Sequence, residues 1–270
     1  MMLAGVGSAF AQQAAPESND IEVGAKFGYE SHYVNRGIDQ SDGNLQTKID
    51  VGYSFSNSGD WGFRAYGELA YMSPVSDEGN EADWTLGTRA VYADEYFFDL
   101  GYRFKSYPNG GVEHAYEMKR AYVNRSNEIF LGIGRDVELF DGNEWSRVLL
   151  QGSVSYDWNL EQVAWEFSLE KRFEEVLTHD GNVVIGATYG YITAGDWVGD
   201  QVSGLGNPNN DYGYLTLKAD YVYSLNTSTD LGIGVRYTYN NDDDRTIHGA
   251  KVMDIDCNTF WWGVSLTFRY

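Results

Sequence analysis

The sequence holds one cysteine, Cys257, and four prolines in 270 residues. A single thiol closes no intramolecular disulfide and builds no thiolate metal cluster, and so few prolines leave long extended segments uninterrupted. Basic residues are scarce as well. Against 40 Asp and Glu stand 19 Lys and Arg, a formal charge of 19 − 40 = −21, which excludes the basic footprint that a nucleic-acid partner needs. No stretch of about 18 apolar residues occurs, so there is no candidate membrane-spanning helix. Neither an H-E-x-x-H nor a G-x-S-x-G string is present, and the four histidines, His32, His114, His179 and His248, lie in separate segments. No catalytic residue, metal ligand or cofactor site is therefore assigned.

Aromatic residues are plentiful, at 16%, and glycine reaches 31. From Ile21 onward the apolar residues recur with period two, between clusters of Gly, Asn, Asp and Ser. The last segment is the clearest: Phe260, Trp262, Val264, Leu266, Phe268 and Tyr270 alternate with Thr259, Trp261, Gly263, Ser265, Thr267 and Arg269. The pattern predicts an all-β chain of about twelve strands: 21–36, 45–55, 61–71, 84–92, 97–105, 128–135, 148–157, 163–173, 183–193, 214–224, 231–240 and 259–270. Most are near ten residues, the length that crosses a bilayer when tilted, and longer than the usual strand of a soluble sandwich. A single antiparallel transmembrane β-barrel over residues 12–270 is expected, with both termini periplasmic. Residues 1–11 end in Ala9-Phe10-Ala11, which reads as the remnant of a secretory signal peptide with its cleavage site.

With that orientation, the periplasmic turns are 56–60, 93–96, 136–147, 174–182 and 225–230. The outer loops are 37–44, 72–83, 106–127, 158–162, 194–213 and 241–258, longer on average, as outer-membrane barrels require. Residues 115–123 could form a thirteenth strand, but that would reverse every later connection, so they are placed in the third loop.

The placement of aromatics decides which face meets lipid. Tyr53, Phe55, Trp61, Phe63, Tyr92, Phe98, Phe173, Tyr221, Tyr223, Phe268 and Tyr270 fall at one end of the apolar face. Tyr29, Tyr33, Tyr71, Trp84, Phe104, Tyr156, Tyr189, Tyr191, Tyr237 and Tyr239 fall at the other. Two aromatic girdles around an aliphatic waist match a bilayer. The opposite face then lines a lumen. By alternation its expected channel-lining charges are Lys26, Glu30, Arg36, Lys48, Asp50, Arg64, Glu68, Arg89, Asp99, Arg103, Glu128, Glu166, Glu170, Arg172, Lys218, Asp220 and Arg236, with Glu22, Lys105 and Arg269 on the same face.

The string Tyr33-Val34-Asn35-Arg36-Gly37-Ile38-Asp39-Gln40-Ser41 resembles the opening of the TorF-type family of exported porin-like proteins of largely undetermined function. Weaker likeness extends to Leu100-Gly101-Tyr102 with Tyr107-Pro108, to Glu128-Ile129-Phe130-Leu131-Gly132, to Ser155-Tyr156-Asp157-Trp158 followed by Glu166, and to Gly263-Val264-Ser265-Leu266. The resemblance implies an outer-membrane barrel and a solute channel, and it brings no catalytic residues. The 106–127 loop looks like an insertion relative to that pattern.

The expected function is passive diffusion of small hydrophilic solutes through a porin-like channel in the bacterial outer membrane. A twelve-stranded barrel lies between the side-chain-filled eight and the open sixteen, so the bore is narrow or plugged, with residues 107–125 the candidate inward-folding segment. Arg36 is expected to pair with Glu30 or another wall carboxylate, because an unpaired buried ion is costly. Expected partners are membrane lipid and lipopolysaccharide, the barrel insertion machinery through the C-terminal strand, and the solutes themselves. Two alternatives are a non-conducting surface barrel whose acidic loops, such as Asn241-Asp242-Asp243-Asp244, bridge cations, and an outer-membrane hydrolase using His32.

Overall fold

The computed structural model describes residues 21–58, 60–75, 80–93, 95–106, 125–138, 147–159, 162–193, 211–241, 245–247, 250–253 and 257–270. The expected signal segment, the possible strand at 115–123 and the Asp242–Asp244 run lie outside the described residues. So does nearly all of the candidate plug at 107–125, whose last residue, Arg125, opens a strand.

The described chain is all-β. Its strands are β1 (Ile21–Asn35), β2 (Ile38–Ser58), β3 (Trp61–Pro74), β4 (Glu81–Tyr92), β5 (Tyr96–Ser106), β6 (Arg125–Glu138), β7 (Arg147–Asp157), β8 (Gln162–Phe173), β9 (Gly181–Thr193), β10 (Tyr212–Asn226), β11 (Thr229–Asn240), β12 (Arg245–Ile247), β13 (Ala250–Met253) and β14 (Asn258–Arg269). All but β12 and β13 form one closed antiparallel barrel of twelve strands, in which neighbours in sequence are neighbours in space. Closure joins β1 to β14 with Ala25 opposite Phe268, and backbone bonds of 2.9 Å between Val23 and Tyr270 place both ends of the barrel chain at one rim. The strand ends that flank residues 107–124, 194–211 and 241–257 lie at the far rim.

Side chains alternate as the sequence pattern predicts, but what they face inverts the usual order of a soluble protein. Leu86 is 66% exposed and Leu131 54%, while Arg103 and Glu128 are 1% exposed inside. An apolar belt of this extent on a sheet with no free edge is stable only against hydrocarbon, where closure satisfies every backbone N–H and C=O. At the terminal rim Trp61 packs on Phe63, Tyr92 and Phe98, with ring centroids 4.8–6.2 Å apart, one stretch of the predicted girdle.

The structure departs from the sequence reading at two places along the far rim. The expected first loop, 37–44, is strand: β2 begins at Ile38, and only Arg36 and Gly37 make the turn. Both have positive φ, 48° and 81°, the twist that a two-residue hairpin turn demands and that glycine adopts without strain. Register then slips, since Tyr33 faces Ser41 while Val34 faces Asp39, leaving Gln40 as the extra residue of a bulge. Gly43, at φ 70°, adds a second irregularity on the same strand. Bulges bend a ribbon, and here the hairpin tip leaves the barrel wall and folds across the mouth. The expected last loop, 241–258, also carries structure, the short ribbon of β12 and β13, whose three and four residues are too few to show a period.

Candidate functional site in the barrel lumen

The inward-bent hairpin fixes the geometry of the far mouth. Ile38, 3% exposed, packs with Ala164 of β8, Ile192 of β9 and Tyr212 and Tyr214 of β10. A side chain at Gly37 would put its Cβ 2.4 Å from Tyr214 Cβ, so glycine is required for contact as well as for φ. Asn240 Nδ2 donates to the Gly37 carbonyl at 2.8 Å. Tyr33, predicted to join the outer aromatic girdle, is instead 6% exposed and donates through its hydroxyl to Glu81 at 2.9 Å. It leaves the lipid face because the bulge turns the hairpin inward.

Arg36 crosses the mouth from this tip. Its Nη2 donates to Glu128 Oε2 of β6 at 2.5 Å and to Ser155 Oγ of β7 at 3.2 Å, on the side of the barrel opposite β1. Glu30 is thus not its partner; Glu128 is. Glu30 lies lower on β1, accepting from Gln46 at 3.0 Å and lying 3.6 Å from Arg236 Nε. The inward-folding segment expected at 107–125 lies almost wholly outside the described residues; among the described residues it is the β1–β2 hairpin that folds across the mouth.

Below the hairpin lies a cavity of about 320 Å³. Its lining runs from Gly24, Asp50 and Arg269 near the terminal rim to Arg36 and Tyr214 under the tip. Of the expected channel-lining charges, all but Arg64, Glu68 and Arg103 border it. Those three face inward too, but are covered by ion pairs: Arg64 with Glu22 at 2.8 Å, Glu68 with Lys48, and Arg103 with Glu128 at 2.6 Å.

Most other wall charges are also matched. Arg89 meets Asp99 at 2.5 Å, where Tyr66 also donates at 2.8 Å; Lys218 meets Glu170; Arg236 meets Asp220 at 2.8 Å; Arg269 meets Asp230 at 2.6 Å. Glu166 accepts from the Tyr214 hydroxyl. Two inward aromatics support the cations, Phe97 under Arg89 and Phe130 under Arg103, at 4.7 and 5.2 Å from the ring centroids. Lys26, Asp50 and Arg172 complete the cavity-bordering charges named from the sequence. Such pairing is what a partly dry interior requires, since an unmatched ion there costs several kcal/mol. His32 sits on the hairpin with Nδ1 2.8 Å from Asp39 and 3.5 Å from Asp42, and among the described residues its ring bonds no hydroxyl nucleophile.

No family model matches the chain, and no curated protein matches it. Solved structures do. An outer membrane channel from Pseudomonas putida F1 shares 12% identity over 96% of this chain and 98% of its own, with a TM-score of 0.57. The fold is that of a bacterial outer-membrane β-barrel. The KdgM porin (8% identity, 92% of this chain and 98% of that one, TM-score 0.48) and the NanC porin (9%, 91% and 98%, 0.46) also resemble it.

Proposed function

We propose that this outer-membrane barrel is a passive channel for small hydrophilic solutes, narrowed at its outer mouth by the β1–β2 hairpin. The observation that carries this reading is the cavity itself, bordered by ionic and hydroxyl side chains from nearly every strand and extending from the terminal rim to beneath Arg36. A wall of this kind substitutes for the hydration a solute loses, while the constriction sets the size that passes. The residues lining the route are those named above, with Arg36, Glu128 and Tyr214 gathered beneath the hairpin tip. Likeness to a solved outer membrane channel supports the reading at the level of fold.

Within that class, the hairpin is built from the very string that resembles the TorF-type family, Tyr33 to Ser41, and membership of that family is the finer proposal. Lipid and lipopolysaccharide would contact the apolar belt, and the insertion machinery would recognise the end of β14. Purified protein reconstituted in a planar bilayer should give discrete current steps in potassium chloride. Complete silence, from protein whose gel migration shows a folded barrel, would leave the non-conducting surface barrel as the better description.

A further inference from the structure

Among the described residues, the donors Trp261 Nε1 and Arg236 Nη1 at the cavity wall are buried without an acceptor. Trp261 of β14 is 3% exposed and borders the cavity, and its Nε1 has no hydrogen-bond partner among the described residues. Arg236 of β11 stands directly opposite Trp261 in the sheet, also borders the cavity, and leaves its Nη1 without a partner although Nη2 is bound to Asp220. Gly263 keeps the space beside them open, since a Cβ there would lie 3.4 Å from Arg236 Nη1 and 3.0 Å from Glu30 Cγ. A buried donor without an acceptor costs the full desolvation of that group, and a small rotation of either side chain would bring its donor onto a solute oxygen in the cavity.

Lys218 stands opposite Arg236 on β10, and one step further toward the hairpin the wall carries a row of uncharged polar groups. Gln151, Ser168, Thr188 and Thr216 pair in register, one from each of β7, β8, β9 and β10, and all four border the cavity. They form a continuous row of groups that can both donate and accept, between the ionic residues Glu166, Glu170, Lys218 and Asp220 of the same strands. Charge then separates two classes of ligand. The Arg236 guanidinium already faces Asp220 at 2.8 Å and Glu30 at 3.6 Å, and the cavity border holds eight basic and eight acidic residues, so no surplus positive field favours a carboxylate.

Resting on the channel reading, we propose that the lumen contains a subsite for a neutral polyhydroxylated solute of monosaccharide size. Its oxygens accept from Trp261 Nε1 and Arg236 Nη1, and its hydroxyls exchange hydrogen bonds with Ser168, Thr188 and Thr216. A cavity of about 320 Å³ is at the small end of ligand sites, which range over roughly 300–1,000 Å³.

The test uses the full chain, with glucose as the neutral probe and gluconate as the carboxylate probe. Binding is followed by saturation-transfer NMR in detergent micelles and, in planar bilayers, by reduction of the current. Glucose should bind and reduce the current, gluconate should do so more weakly, and Trp261→Phe, which keeps a ring but removes the donor, should raise the half-effective glucose concentration about two- to tenfold. Thr188→Val provides the same comparison if the Trp261 variant fails to give a folded barrel. No glucose binding, tighter binding of gluconate, or equal glucose binding by wild type and variants would overturn the subsite. Glucose binding that the variants weaken, in a barrel that passes no current, would overturn the channel reading and leave the subsite standing.

Discussion

Glu128 accepts from Arg103 at 2.6 Å and from Arg36 at 2.5 Å, and both Glu128 and Arg103 are 1% exposed. The two halves of this triad are not equivalent. Glu128→Ala strands a guanidinium with no water to turn to and should destabilise the barrel by about 3–5 kcal/mol, the usual cost of breaking a buried pair. Arg36→Ala frees the hairpin tip but leaves Glu128 bound to Arg103, so its loss should be clearly smaller. Urea unfolding in lipid vesicles compares the two, and equal losses would show that Arg103 does not hold the carboxylate on its own. At this scale the sequence was informative about which side chains face inward, because alternation alone assigns Lys48, Glu68 or Asp220 to the lumen. It was silent about pairing. Arg36 and Glu128 are 92 positions apart, and only the strand order and the inward hairpin bring them together.

The twelve barrel strands were legible because each shows several turns of the period-two pattern and ends in turn-forming residues. The β1–β2 hairpin was not, for a specific reason. Residues Ile38 to Asn44 continue β2, but the bulge at Gln40 shifts the parity between Tyr33 and the tip, so the alternation breaks where the strand persists. A polar, glycine-containing stretch with broken alternation reads as loop. The element has a role the wall strands lack. Replacing Val34 to Gln40 by a two-residue Asn-Gly turn should leave a folded barrel whose single-channel conductance in potassium chloride exceeds that of wild type, because the tip that fills the mouth is gone. An unchanged conductance would mean that the narrowest point lies elsewhere, with residues 107–124 the next segment to shorten.

The whole molecule carries a formal charge of −21, yet its cavity border balances eight basic against eight acidic residues. The excess negative charge therefore lies outside the cavity border, much of it in the turns and connections of the sequence. Charges there act on ions through salt-screened fields, with a Debye length near 10 Å at 0.1 M. A channel built this way should show a weak preference for potassium over chloride at low salt that fades as salt rises, measurable as a reversal potential across a concentration gradient. A strong preference persisting at 1 M salt would place unpaired charge at the constriction itself. All of this depends on the sheet facing hydrocarbon with its apolar side. The most direct measurement is a spin-label scan along β10 in reconstituted bilayers, with Cys257 first replaced by serine. Labels at Leu215, Leu217 and Ala219 should be accessible to dissolved oxygen and shielded from a water-soluble nickel complex, and labels at Thr216, Lys218 and Asp220 should show the reverse. Absence of that two-residue alternation, or its inversion, would contradict a barrel that encloses water.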